Sequence, residues 1–144
     1  MGQALPKRRT VLIVEDDPEL RSLTAALLED EQLDTIECES AEAALAVMLI
    51  GERDVAMIFA DVRLQGVMDG VDLAWEVRLR WPRLPVVLTS GCPREGGREL
   101  PPGVAYMPKP WQPLNVLVAA EQALVLAATK AHQEPVWKAP TARS

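Results

Sequence analysis

The chain has 144 residues, of which 49% are hydrophobic, and a formal net charge of −6. That length and apolar content suit one globular domain with a proper core and exclude a disordered chain. The acidic balance argues against a general nucleic-acid binder, and no apolar run approaches the ~20 residues that span a bilayer.

Residues 1–9 read as a loose tail. Lys7-Arg8-Arg9 is not followed by the apolar stretch of a secretory signal, and Pro6 stands where a myristoylation motif needs Ser or Thr. A first strand is predicted at about 10–15. Pro18 then opens a helix behind Asp17, which is placed to cap it. Leu20, Leu23, Ala26 and Leu27 recur at helical spacing and are its expected buried face. A second strand is predicted at about 33–38. Ser40 caps the next helix, Glu42 sits in its first turn beside the positive end of the helix dipole, and Gly51 ends it. Its expected buried face is Ala44, Leu45, Met48 and Leu49.

The third strand is predicted at about 55–60, followed by a loop with Gly66 and Gly70. A third helix at about 71–80 is expected to bury Val71, Ala74 and Trp75, with Leu79 at the margin, and to stop before Pro82. The fourth strand is predicted at about 85–89. Residues 90–103 then carry Gly91, Pro93, Gly96, Gly97, Pro101, Pro102 and Gly103. So many breakers predict an irregular loop with at most one helical turn near Arg94 to Leu100. A fifth strand at about 104–108 and a last helix from about Pro113 to His132 complete the domain, 10–132. That helix is expected to bury Leu114, Leu117, Val118, Ala120, Leu124, Val125 and Ala128. Residues 133–144, with Pro135 and Pro140, read as a second tail. Cys38 and Cys92 form no metal or redox motif and read as reduced thiols of a cytoplasmic protein. Met1, a short tail and a strand within ten residues suggest a complete small protein.

Short β-branched runs alternating with helices predict a parallel sheet covered on both faces. Ligands of such sheets bind beyond the carboxyl ends of the strands. Four of the apolar runs end in polar groups: Val14 leads into Glu15-Asp16-Asp17, Ala60 into Asp61, Leu88 into Thr89, and Pro108 into Lys109. Carboxylates, a hydroxyl and an ammonium should therefore meet in one crevice. Glu15, Asp16 and Asp61 repel one another as bare anions, and a hard divalent cation resolves the conflict. Oxygen-only ligands favour magnesium. Asp61 stands alone at its strand end and is the candidate nucleophile, able to form an acyl phosphate. The Thr89 hydroxyl and the Lys109 ammonium can then bind the phosphoryl oxygens.

These pieces resemble the receiver domain of two-component response regulators. The resemblance rests on Val11-Leu12-Ile13-Val14-Glu15-Asp16-Asp17-Pro18, Phe59-Ala60-Asp61-Val62-Arg63-Leu64, Met68-Asp69-Gly70, Val87-Leu88-Thr89-Ser90-Gly91 and Tyr106-Met107-Pro108-Lys109-Pro110. It covers about residues 9–128 and implies a flavodoxin-like doubly wound sheet of five parallel strands in the order 2-1-3-4-5. It also implies a histidine kinase or phosphotransfer protein as phosphodonor to Asp61. Magnesium would be held by Asp16, Asp61 and the main-chain carbonyl of Arg63, with Glu15 acting through water. Thr89 and Tyr106 would be the switch pair, Lys109 the phosphate contact, and the Lys109-Pro110 bond cis. Such a protein is a phosphoacceptor rather than an enzyme, apart from its own phosphorylation and dephosphorylation. A downstream protein partner is expected, no nucleic acid or membrane, and a homodimer is compatible with the pattern.

Three departures stand out. The loop Arg63-Leu64-Gln65-Gly66-Val67-Met68-Asp69-Gly70 is one residue longer than the commonest form, with Gln where Pro is usual. Ser90 replaces a frequent Ala. The breaker-rich 90–103 segment resembles a subgroup of single-domain and hybrid-kinase receivers whose fourth helix is short or mobile. Receiver module of a hybrid histidine kinase is therefore an alternative reading. A flavodoxin or an aspartate-based phosphatase on the same fold is a third: the first needs a Ser/Thr/Gly-rich loop where Glu15-Asp16-Asp17-Pro18 stands, and the second a different carboxylate spacing. Trp75, Trp81 and Trp137 read as packing or surface residues, Trp111 as a neighbour of the site, and His132 as a solvated helix-end residue.

Overall fold

The computed structural model describes residues 9–51, 54–91 and 98–133, with residues 126–133 described by backbone alone. Most of the two predicted tails, 1–8 and 134–144, and Cys92 lie outside the described residues. The elements in chain order are β1 (Thr10–Val14), α1 (Pro18–Glu29), β2 (Asp34–Cys38), α2 (Ala41–Ile50), β3 (Val55–Asp61), α3 (Gly70–Arg80), β4 (Val86–Ser90), β5 (Val104–Pro108) and α4 (Pro113–Gln133). All strand pairs are parallel, in the order β2-β1-β3-β4-β5. The chain leaves β1 in one direction to β2, then crosses to β3 and continues the other way. Strand order thus reverses between β1 and β3, where such folds open a crevice. This is the flavodoxin-like architecture that the sequence predicts.

Alternation along the strands divides the core into two layers. Leu12, Val14, Ile58, Ala60 and Leu88 face α2 and α3. Val11, Ile13, Met57, Phe59 and Val87 face α1 and α4. Helix starts follow local chemistry. Asp17 accepts the N–H groups of Glu19 and Leu20 at 3.0 and 3.4 Å, with Pro18 at the first helical position. Ser40 Oγ accepts the Ala43 N–H at 3.0 Å. Gly51 ends α2 in the left-handed region at φ 71°, where a side chain is strained. At α3, Asp69 and Asp72 each accept the other's backbone N–H, a capping box. The Lys109-Pro110 bond is cis.

The buried helix faces depart from the sequence reading. In α1 the buried residues are Thr24, Ala25 and Leu28, while Leu23 and Ala26 are exposed. Thr24 tolerates burial because its hydroxyl donates to the Leu20 carbonyl at 2.8 Å. In α2, Ala41 and Ala44 are buried, Leu45 and Met48 half-buried, and Leu49 exposed. In α3, Val71 and Ala74 are buried as predicted, but Leu73 and Val77 replace Trp75 and Leu79, the latter 78% exposed. Trp75 instead lies at the surface, its indole N–H donating to the Glu99 carbonyl at 3.2 Å. In α4, Ala120 and Leu124 are buried with Val116, and Leu117 is half-buried. Leu114, Val118 and Val125 are exposed, and Ala128 lies outside the described side chains. Helices that are apolar on most sides do not mark their inner face, so the choice falls to whichever small or branched residue lets the helix approach the sheet.

Between β4 and β5, the described residues 98–103 contain no helix. Part of the predicted turn near Arg94 to Leu100 lies outside the described residues. What is described is a strap along α3. Arg98 donates to Asp69 at 2.7 Å and Asp72 at 2.6 Å, and Arg78 donates to the Pro102 carbonyl at 3.0 Å. Pro101 is buried and Leu100 packs on the core layer beneath α2 and α3. Among the described residues no helix is long and apolar enough to cross a membrane.

Candidate functional site

The polar residues that end the strands converge at the carboxyl edge of the sheet. Asp61 is the last residue of β3, 6% exposed, and lies in register with Thr89 of β4. Its Oδ2 accepts from Lys109 Nζ at 2.9 Å, and its Oδ1 from the Arg63 backbone N–H at 3.2 Å. Lys109 follows β5, where its backbone N–H continues the ladder to the Ser90 carbonyl at 2.8 Å. Its ammonium also reaches Glu15 Oε1 at 3.4 Å.

Glu15 follows β1 and is also 6% exposed. Its backbone N–H bonds the Cys38 carbonyl, and its Oε2 accepts the Asp17 N–H at 3.1 Å. One oxygen each from Glu15, Asp16 and Asp61 lies within 4.8 Å of the others. Asp16, Val62, Arg63, Leu64, Gln65 and Asp69 line the cleft beside them. Three carboxylates this close, two of them buried, form an all-oxygen donor set that suits a hard divalent cation.

Electrostatics follow from this crowding. Burial pushes the Glu15 carboxyl up to about 7; the Asp17 N–H opposes that rise and the Asp61 charge adds to it. Burial by itself would lower Lys109, but the hydrogen bond and charge of Asp61, then those of Glu15, hold it above its ordinary value. Lys109 is therefore a fixed cation bound to two carboxylates. By contrast, burial pushes the Cys38 thiol up to about 11, which leaves it unreactive.

The Thr89 hydroxyl is buried and has no hydrogen-bond partner among the described residues. An orphaned buried hydroxyl is costly unless a ligand completes it. Tyr106 lies on β5 in register with Leu88 and is half-buried against the α2–α3 core layer. Trp111 stands beyond Lys109-Pro110 and meets Phe59 edge to face, the ring centroids 6.1 Å apart. The structure thus brings together Glu15, Asp16, Asp61 and Lys109, with Thr89 across from Asp61, while Tyr106 lies one strand further out.

Two features of the loop between β3 and α3 escape the sequence reading. A Cβ on Gly70 would come 2.2 Å from the Asp61 carbonyl oxygen, so only glycine lets α3 start this close to the end of β3. Glu42, read from sequence only as a partner of its own helix dipole, reaches across from α2 and accepts the Val67 and Met68 N–H groups at 3.0 and 2.8 Å. No local pattern signals a contact between residues this far apart in sequence.

Comparison with known proteins gives the family. The response regulator receiver domain model matches residues 11–98. The nitrogen assimilation regulatory protein NtrX of Azorhizobium caulinodans is 39% identical over 82 residues, which are 56% of this chain and 18% of that protein. This chain thus corresponds to less than a fifth of that relative's length. The crystal structure of the receiver domain of NtrX from Brucella abortus superposes with a TM-score of 0.68 at 32% identity, covering 79% of this chain and 97% of that one. A CheY-like receiver domain protein from Methanospirillum hungatei, 21% identical, shares the fold with a TM-score of 0.74 over 86% of this chain and 99% of its own. With its parallel sheet in the order 2-1-3-4-5 and a family match over more than half its length, this chain belongs to the response regulator receiver domain family of two-component signalling.

Proposed function

We propose that the chain accepts a phosphoryl group on Asp61 from a phosphohistidine of a histidine kinase or phosphotransfer protein, and signals by phosphorylation-dependent binding or onward relay. The observation that carries this reading is the environment of Asp61: a buried carboxylate held by Lys109 at 2.9 Å, facing an acidic pair, with a buried hydroxyl that is unpartnered among the described residues in register beside it. An ion pair built only for stability has no use for a second and third carboxylate at the same place.

In this reading an Asp61 oxygen attacks phosphorus, an O–P bond forms as the P–N bond of the phosphohistidine breaks, and the imidazole leaves with a proton. Lys109, already beside Asp61, stabilises the charge that develops on the phosphoryl oxygens. Thr89 donates its free hydroxyl to one of those oxygens. The Arg63 N–H keeps the attacking carboxylate oriented. Glu15, Asp16, Asp61 and the Arg63 carbonyl would hold magnesium, which supplies neutralisation of phosphoryl charge when bound. The fit rests on the donor set itself: oxygen only, with three carboxylates crowded together and two of them buried.

Incubation with acetyl phosphate and magnesium tests the assignment. Intact mass should rise by one phosphoryl group, and Asp61→Asn should abolish the gain. Equal labelling of the variant would refute Asp61 as acceptor.

A further inference from the structure

The loop from Val62 to Asp69 forms one wall of the cleft and carries the Arg63 carbonyl. It is closed at its base by the Gly70 N–H to Val62 carbonyl bond at 2.8 Å, and at its start by the Arg63 N–H to Asp61. Its far side has no strand or helix of its own. Val67 is 94% exposed, so packing does not anchor it. Leu64 and Met68 touch the core, but between them the backbone of Gln65, Gly66 and Val67 is at the surface.

The polar anchor of that far side is Glu42. One of its carboxylate oxygens, Oε2, accepts two consecutive loop amides, from Val67 and Met68. Gly66 adopts φ +114°, and a Cβ there would come 2.8 Å from the other oxygen, Oε1. The loop is thus shaped around this carboxylate, with the glycine making room for it. The Met68 amide, then Glu42's own amide, hold the carboxyl below the usual carboxylate range, so it is a firm anionic acceptor at neutral pH. Desolvation works against this shift and is outweighed by the amides.

From this geometry we infer that Glu42 is a positioning residue for the metal-binding wall: from the first turn of α2 it clamps the β3–α3 loop so that the Arg63 carbonyl faces the acidic trio. The inference rests on the metal site proposed above. Groups that orient ligands without touching the ion commonly govern its affinity. Here the clamp also joins α2 mechanically to the site, a link additional to the strap on α3. Glu42 touches neither phosphoryl group nor ion, and its effect passes through backbone alone.

The test uses magnesium alone as probe, titrated against the full chain and followed by tryptophan fluorescence and melting temperature, with amide hydrogen exchange of Val67 and Met68 alongside. Glu42→Ala should speed exchange of both amides and weaken magnesium about tenfold, the lower end of what orienting groups contribute. Glu42→Gln keeps an acceptor oxygen while losing the charge, and should stay closer to wild type than Glu42→Ala in both readouts. Gly66→Ala keeps the carboxylate in the chain but pushes it aside, and should weaken magnesium as Glu42→Ala does. Wild-type affinity in Glu42→Ala would overturn the inference. So would a Glu42→Gln variant that binds magnesium as weakly as Glu42→Ala while its Val67 and Met68 amides stay protected, because a distant charge would then be the whole effect. Absence of magnesium binding by the wild type would instead overturn the metal site itself, and the clamp with it.

Discussion

Replacing Glu15 by Gln should change how the metal-free protein responds to pH. Glu15 is almost wholly buried beside Asp61, and its carboxyl is pushed from 4.5 to about 7. Its folded-state affinity for a proton thus exceeds that of the unfolded chain. The protonated form stabilises the fold fully below pH 4.5, and that contribution is lost as pH rises toward 7. Carrying a carboxyl from 4.5 to about 7 corresponds to ~3 kcal/mol. Glu15→Gln has no proton to lose and keeps a neutral side chain of the same shape. Urea or thermal unfolding in EDTA at pH 5 and pH 8 reads the effect. Wild type should lose about 2–3 kcal/mol more than the variant between these values, roughly 10 °C in melting temperature for a domain of this size. Saturating magnesium should reverse the trend for wild type, because the cation selects the ionised carboxylate and stabilises most at pH 8. Parallel pH profiles for the two metal-free proteins would refute the reasoning.

Two further substitutions separate stability from signalling. Thr89→Val removes a buried hydroxyl that has no partner among the described residues and should stabilise the metal-free protein by about 1 kcal/mol in urea titrations, while slowing phosphorylation by acetyl phosphate. Gly70→Ala forces a Cβ to within 2.2 Å of the Asp61 carbonyl oxygen. It should destabilise by ~2 kcal/mol or more in the same titrations and lower phosphoryl incorporation, because the backbone of the proposed acceptor must shift.

Much of the candidate site is legible in the sequence. A strand is a local pattern, and a polar residue at its end is visible in the same few letters. Val14-Glu15, Ala60-Asp61, Leu88-Thr89 and Pro108-Lys109 therefore announce themselves, and parallel topology sends all of these ends to one edge. The caps at Asp17, Ser40 and Gly51 are equally local and sit where the sequence puts them. Helix faces were not legible to the same degree. Leu20, Leu23, Ala26 and Leu27 form as regular a stripe as the residues α1 in fact buries, and Leu114, Val118 and Val125 are more apolar than the Ala120 that is buried. Periodicity gives the period of a stripe; where helices carry apolar residues on several sides it does not give the phase.

What the sequence determined by itself is the set of elements, their parallel arrangement and the chemistry delivered to the crevice, because each follows from residues adjacent in the chain; the strand order came only from what the family resemblance implies. Tertiary structure alone decided the rest. The Glu42 clamp on Val67 and Met68, and the Arg98 bridge to Asp69 and Asp72, join segments more than twenty residues apart. The proton affinity of Glu15 depends on how deeply β1 is buried and how near β3 brings Asp61. Distances and desolvation of this kind arise only when separate strands and loops are packed together, and short-range patterns hold no record of them.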